Sequence, residues 1–185
     1  GLPNAGDAAD MKFYASPGEK FGYSGYGYFL LQKIIEKRTG KTYAELTQEF
    51  IFDLVPMRHS YMTRPTDQPV AVHHNADMKK SLPVAPATPA TAASGLYTTA
   101  DDYARFVVAW VQERDELLQS AFKFSKEKTL STDRWAVEKG VSPTDLEQLS
   151  WGLGWGLLKT DEGIIAFHWG DNGDSKAFVA INIES

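Results

Sequence analysis

The hydrophobic pattern of the chain changes character twice. Residues 1–25 show no periodicity and are rich in Gly, Pro, Asn, Asp and Ser, with Pro17-Gly18 as a turn signal, so this stretch reads as loop. Helical spacing then begins. Leu30, Leu31, Ile34 and Ile35 fall on one stripe, which is expected to face a core, while Gln32, Lys33, Glu36 and Lys37 face away. Gly40 stands where a left-handed C-cap belongs. Thr42 to Glu45 has the form of a capping box and predicts a second helix with Tyr43, Leu46 and Phe50 inward, ending before Pro56.

Residues 60–97 are rich in Pro, Thr and Ala and lack a period, which predicts a long loop that is functional or draped over a core. A third helix is expected from Thr99 as N-cap, with Asp102 at its third position and Tyr103, Phe106, Val107 and Trp110 as its apolar stripe. Residues 113–150 read as broken helix, restarting at Ser142-Pro143. Beyond Trp151 the period drops to two. Strands are expected over 153–159, 163–168 and 176–183, the first two joined by Thr160-Asp161-Glu162 and the last two by a hairpin at Asn172-Gly173.

Helices followed by an antiparallel meander predict an α+β fold, with a helical region over about 26–150 and about three strands over about 153–184. All 185 residues are expected to form one domain, truncated at both ends. Three strands form a thin sheet that needs cover, and edge pairing between copies would make a homo-oligomer.

Composition narrows the function. The chain is 43% hydrophobic and 23% charged, ordinary for a globular protein. A net charge of -5 offers no cationic surface for phosphates, so a nucleic-acid partner is not expected. The absence of cysteine excludes disulfides, thiolate metal sites and a cysteine nucleophile. No apolar run reaches the ~18 residues of a membrane span, and the polar opening is no signal peptide. His73-His74 lacks a third ligand nearby in sequence, so no metal is expected, and nothing calls for a cofactor.

Two stretches carry candidate chemistry. Tyr23 lies in a glycine-rich turn just before an amphipathic helix, where backbone can approach a ligand and helix N–H groups are unpaired. His168 ends a strand and is followed by Trp169-Gly170-Asp171-Asn172-Gly173; imidazole there suits hydrogen bonding or proton traffic near neutral pH. Each alone is also compatible with ordinary packing.

Their flanks carry more. Gly1-Leu2-Pro3-Asn4, Pro17-Gly18-Glu19-Lys20-Phe21-Gly22-Tyr23-Ser24, Thr39-Gly40-Lys41, Ser94 to Asp102, Trp151 to Trp155 and His168-Trp169-Gly170 occur in the order of the blocks of serine β-lactamases and penicillin-binding proteins. The chain resembles the class C β-lactamase-like branch of that family over nearly its whole length. The resemblance implies acyl transfer through a serine ester, on a β-lactam, a D-amino-acid peptide or an ester, in a periplasmic or secreted protein. Tyr23 would be the tyrosine of the Tyr-x-Asn motif, a general base or proton relay. A phenol with a free pKa near 10 needs a nearby cation for that role, which the family's Ser-x-x-Lys lysine would supply. His168 would stand where Lys-Thr-Gly has its lysine. Gly25, Trp169, Gly170 and Asp171 would line the substrate site, with the Asp171 N–H as half of the oxyanion hole.

There are departures. The motif's asparagine is Gly25 here, which disfavours β-lactam turnover more than ester chemistry. Trp169 is bulky, and Asp171 brings a carboxylate close to developing negative charge. The Ser-x-x-Lys at Ser125 to Lys128 sits in a charged run downstream of the tyrosine and is not read as the nucleophile. The nucleophile is therefore expected to lie outside this chain, upstream of Gly1. The alternative is a binding or structural module on a decayed scaffold.

Overall fold

The computed structural model of the chain describes Ser16, Glu19 and residues 21–80, 89–112, 116–123 and 142–184. The described residues group into two compact units: those within Gly1–Ser24, Arg114–His168 and Phe178–Ser185, and those within Gly25–Glu113 and Trp169–Ala177.

In the second unit the first helix, α1, runs Gly25–Thr39 and stops at Gly40, which has φ 72° and donates its N–H to the Glu36 carbonyl. A short α2 (Tyr43–Thr47) opens with the predicted capping box, each partner bonding the other's backbone N–H. It passes directly into a π-helical turn, Gln48–Phe52. The longer α3 (Ala100–Gln112) starts where Thr99 Oγ1 accepts the Asp102 N–H. Its expected stripe holds: Val107 is buried and Tyr103, Phe106 and Trp110 are half-buried, with neighbouring rings in tilted contact.

Two expectations about inward faces are corrected. On α1, Leu30, Leu31, Ile34 and Ile35 are all exposed by 40% or more, whereas Gln32 is 3% exposed. Gln32 donates to the Ala90 carbonyl and to Glu36, and accepts from the Ala92 N–H. It serves the loop backbone at residues 90 and 92, and this polar demand turns Gln32 inward while Lys33 and Lys37 of the same stripe stay exposed. After α2, Phe50 is exposed and Phe52 buried. The wider π turn breaks the 3.6-residue phase on which Phe50 was placed inward.

In the first unit α4 (Glu116–Gln119) continues into a 3₁₀ turn, Ser120–Phe122, whose Ala121 and Phe122 are buried. The short α5 (Pro143–Glu147) begins with proline as expected, though the Ser142 side chain makes no capping bond. Among the described residues the sheet has four strands, not three: β1 (Leu149–Trp151), β2 (Gly156–Thr160), β3 (Gly163–Asp171) and β4 (Lys176–Asn182), in that spatial order. β1 pairs antiparallel with β2, Trp151 opposite Gly156, and β2 with β3, Gly156 opposite Phe167. Three residues are too few to show alternation, which is why β1 escaped the pattern. Leu146, Ser150, Trp151, Trp155, Leu157 and Ala166 form the buried centre of this unit. Residues 169–177, which hold the end of β3 and the start of β4, belong to the second unit. The architecture is α+β, as expected.

No helix among the described residues is long and apolar enough to cross a membrane.

Candidate functional site

Gly156 organises the aromatic wall of the first unit. A side chain there would meet the Phe167 ring at under 3 Å, so glycine lets that ring lie across β2. Trp151 and Phe167, on the strands either side, bring their rings together edge to face, centroids 6.4 Å apart. Trp151 is itself buried and makes further ring contacts. Phe21 stacks on it at 5.5 Å, and Tyr23 meets its edge at 5.4 Å. His168, next along β3, meets it at 5.5 Å.

The consequence is that Tyr23 and His168, far apart in sequence, lie side by side with ring centroids 6.3 Å apart and tilted by 52°. That spacing is within the range of direct ring contact. Tyr23 lies just before α1, outside any helix or strand, and is 48% exposed, so solvent reaches it. His168 is half-buried. A phenol and an imidazole beside a buried indole can accept, donate and pass protons.

The four residues expected to contact substrate lie in the other unit. Gly25 is the half-buried first residue of α1. Trp169, Gly170 and Asp171 end β3, Trp169 half-buried and the other two exposed. The carboxylate of Asp171 is engaged: Oδ2 accepts from Lys176 Nζ at 2.6 Å and Oδ1 from the Gly173 N–H at 3.0 Å. The Lys176 bond first, then the Gly173 N–H, holds its pKa below the usual 3.8. Ser125, and the opening Gly1 to Asn4, fall outside the described residues.

The sequence reading missed the role of Trp151, which it used only as a marker of resemblance. It also missed the contact of His73 Nδ1 with Ser175 Oγ at 2.6 Å. No local signal reports either, because each depends on pairing between distant segments.

Comparison with known proteins settles the family. The family model described as Beta-lactamase matches residues 5–185. The chain belongs to the Beta-lactamase family. No curated protein matches it. Among solved structures, a class C β-lactamase in complex with cefoxitin is similar at 17% identity and TM-score 0.70, covering 95% of this chain and 54% of its own. A penicillin-binding protein homologue from Pyrococcus abyssi, described as octameric, is similar at 21% identity and TM-score 0.67, covering 92% of this chain and 37% of its own. A D-stereospecific amidohydrolase from Streptomyces sp. is similar at 19% identity and TM-score 0.67, covering 92% and 49%. At these identities the likeness is one of fold. This β-lactamase-family chain spans between about a third and a half of these structures' lengths, and so shares part of their fold.

Proposed function

We propose that this chain contributes the proton-handling side of a serine acyl-transfer site, with the nucleophilic serine supplied by polypeptide outside these 185 residues. The observation that carries the reading is the pairing of Tyr23 with His168 at 6.3 Å, in a chain whose family match runs over residues 5–185. Tyr23 acts as general base or relay. It takes the proton of the attacking hydroxyl as the serine–acyl bond forms, and returns it to the leaving group. His168 shapes the local potential and holds substrate. The substrate-binding roles of Gly25, Trp169, Gly170 and Asp171 belong to the proposal on the strength of the family resemblance. So do an extracytoplasmic location and self-association.

The substrate is a small ester in preference to a β-lactam, because Gly25 supplies no side-chain amide to bond a substrate amide. The complete protein, treated with a fluorophosphonate probe, is expected to be labelled on a serine outside this chain. Tyr23→Phe should then slow labelling by about 10²-fold or more. Labelling of a serine within this chain, Ser120 and Ser125 being the two that open a Ser-x-x-Lys, would reverse the assignment. No labelling at all would favour the second reading, a binding module on a scaffold that has lost its catalytic groups, for which Gly25 also speaks.

A further inference from the structure

Residues 62–80 contain no helix or extended strand. Their last part is a self-contained turn. Asn75 Oδ1 accepts the N–H groups of Asp77 and Lys79, its carbonyl accepts from Met78, and its own N–H reaches the Lys79 carbonyl. An isolated bridge between His74 and Lys80 closes it.

The connection from β3 to β4 is a second preformed turn. The Asn172 N–H bonds the Ser175 carbonyl at 3.0 Å, Gly173 has φ 76°, and Asp171 caps the bend through Gly173 and Lys176. Between the two turns runs the His73–Ser175 hydrogen bond, spanning 102 positions. Its two residues are the inward ones of their stretches. His73 is half-buried between exposed Val72 and His74, and Ser175 is half-buried between exposed Asp174 and Lys176. A hydroxyl can donate or accept, so either tautomer of the imidazole serves the bond.

We propose that His73 and Ser175 form a latch that fastens the 62–80 segment, as a strap, onto the β3–β4 turn. Each turn is built by its own short-range bonds, so the latch adds nothing to their shape. What it sets is whether strap and turn move together or apart. Release is local: with the His73–Ser175 bond broken, each turn rests on its own short-range bonds alone and opens more readily. The inference is independent of the hydrolase reading, since it concerns only how two loops are tied.

Hydrogen exchange on the 185-residue chain tests it. Ser175→Ala and His73→Phe are each expected to speed exchange about fivefold in both 70–77 and 172–177, the loss of roughly one net hydrogen bond. α3 and β2 should keep their protection. His73→Asn, which keeps a polar atom near the Nδ1 position, should restore most of it. With only four histidines in the chain, a long-range ¹H–¹⁵N spectrum should also show the His73 Nδ1 signal move in Ser175→Ala. Unchanged exchange in Ser175→Ala, or exchange faster across the whole chain, would overturn the latch.

Discussion

Removing the carboxylate of Asp102 strands two donors at once. It is 1% exposed, and its Oδ2 accepts from the His59 N–H at 2.6 Å and the Ser60 hydroxyl at 3.0 Å. Ser60 in turn shares a bond with Thr98. The residue read from sequence as an ordinary helix-opening acid is the tie between α3 and residues 59–60. Asp102→Ala should cost about 3 kcal/mol, because buried partners are left unsatisfied; urea denaturation measures it, and a cost under about 1 kcal/mol would deny the tie. Gly152 is constrained differently. A side chain there would fall 1.7 Å from the Ala121 carbonyl oxygen, a backbone atom that cannot swing aside. Gly152→Ala is expected to destabilise by about 3 kcal/mol, and a thermal midpoint equal to that of the parent would contradict the packing described.

At the scale of elements, α1 teaches most. Periodicity marks its apolar stripe, yet the residue that packs inward is Gln32, with Lys33 and Lys37 exposed beside it. Its apolar stripe is exposed, so Leu31→Lys should shift stability by no more than about 0.5 kcal/mol. Gln32→Leu, conservative by size, should cost about 2 kcal/mol by orphaning the Ala90 carbonyl and the Ala92 N–H. Comparing the two variants by chemical denaturation decides which stripe packs, and the reverse order of costs would restore the sequence-based orientation. The strands expected from alternation lie closer to the observed ones. The hairpin at Thr160 to Gly163 forms at the expected place, with Gly163 at φ 116°.

The whole molecule responds to pH through a few carboxylates. Glu36 is held below its usual 4.5, first by the Lys33 hydrogen bond and then by Gln32, and Glu45 likewise by the Thr42 backbone and hydroxyl. Depressed values in the folded state mean stability that is present above the ordinary pKa and lost as pH falls through the folded one. The urea midpoint should therefore stay level from pH 7 to 5 and decline below about 4.5, modestly, because these groups face solvent. A decline already under way at pH 6 would point to other groups. At the alkaline end, burial raises Tyr43 and Tyr103 above 10.0. Their contribution is complete below that value and fades as pH rises through the folded pKa. Phenolate absorbance followed to pH 12 should show Tyr43 and Tyr103 titrating late.

What the amino-acid order determined by itself was local. The capping box at Thr42, the stop at Gly40, the start of α3 at Thr99 and the turn glycines 163 and 173 each rest on bonds or backbone angles within a few residues, so spacing alone announces them. The candidate positions Tyr23 and His168 were also legible, through motif order. Tertiary structure decided which helix face turns inward, that Phe52 replaces Phe50 in the core, and that Asp102 reaches back to residues 59 and 60. It also decided that a buried Trp151 seats the phenol beside the imidazole. Those outcomes depend on which unsatisfied backbone group or empty volume a distant segment presents, and no window along the chain contains that information.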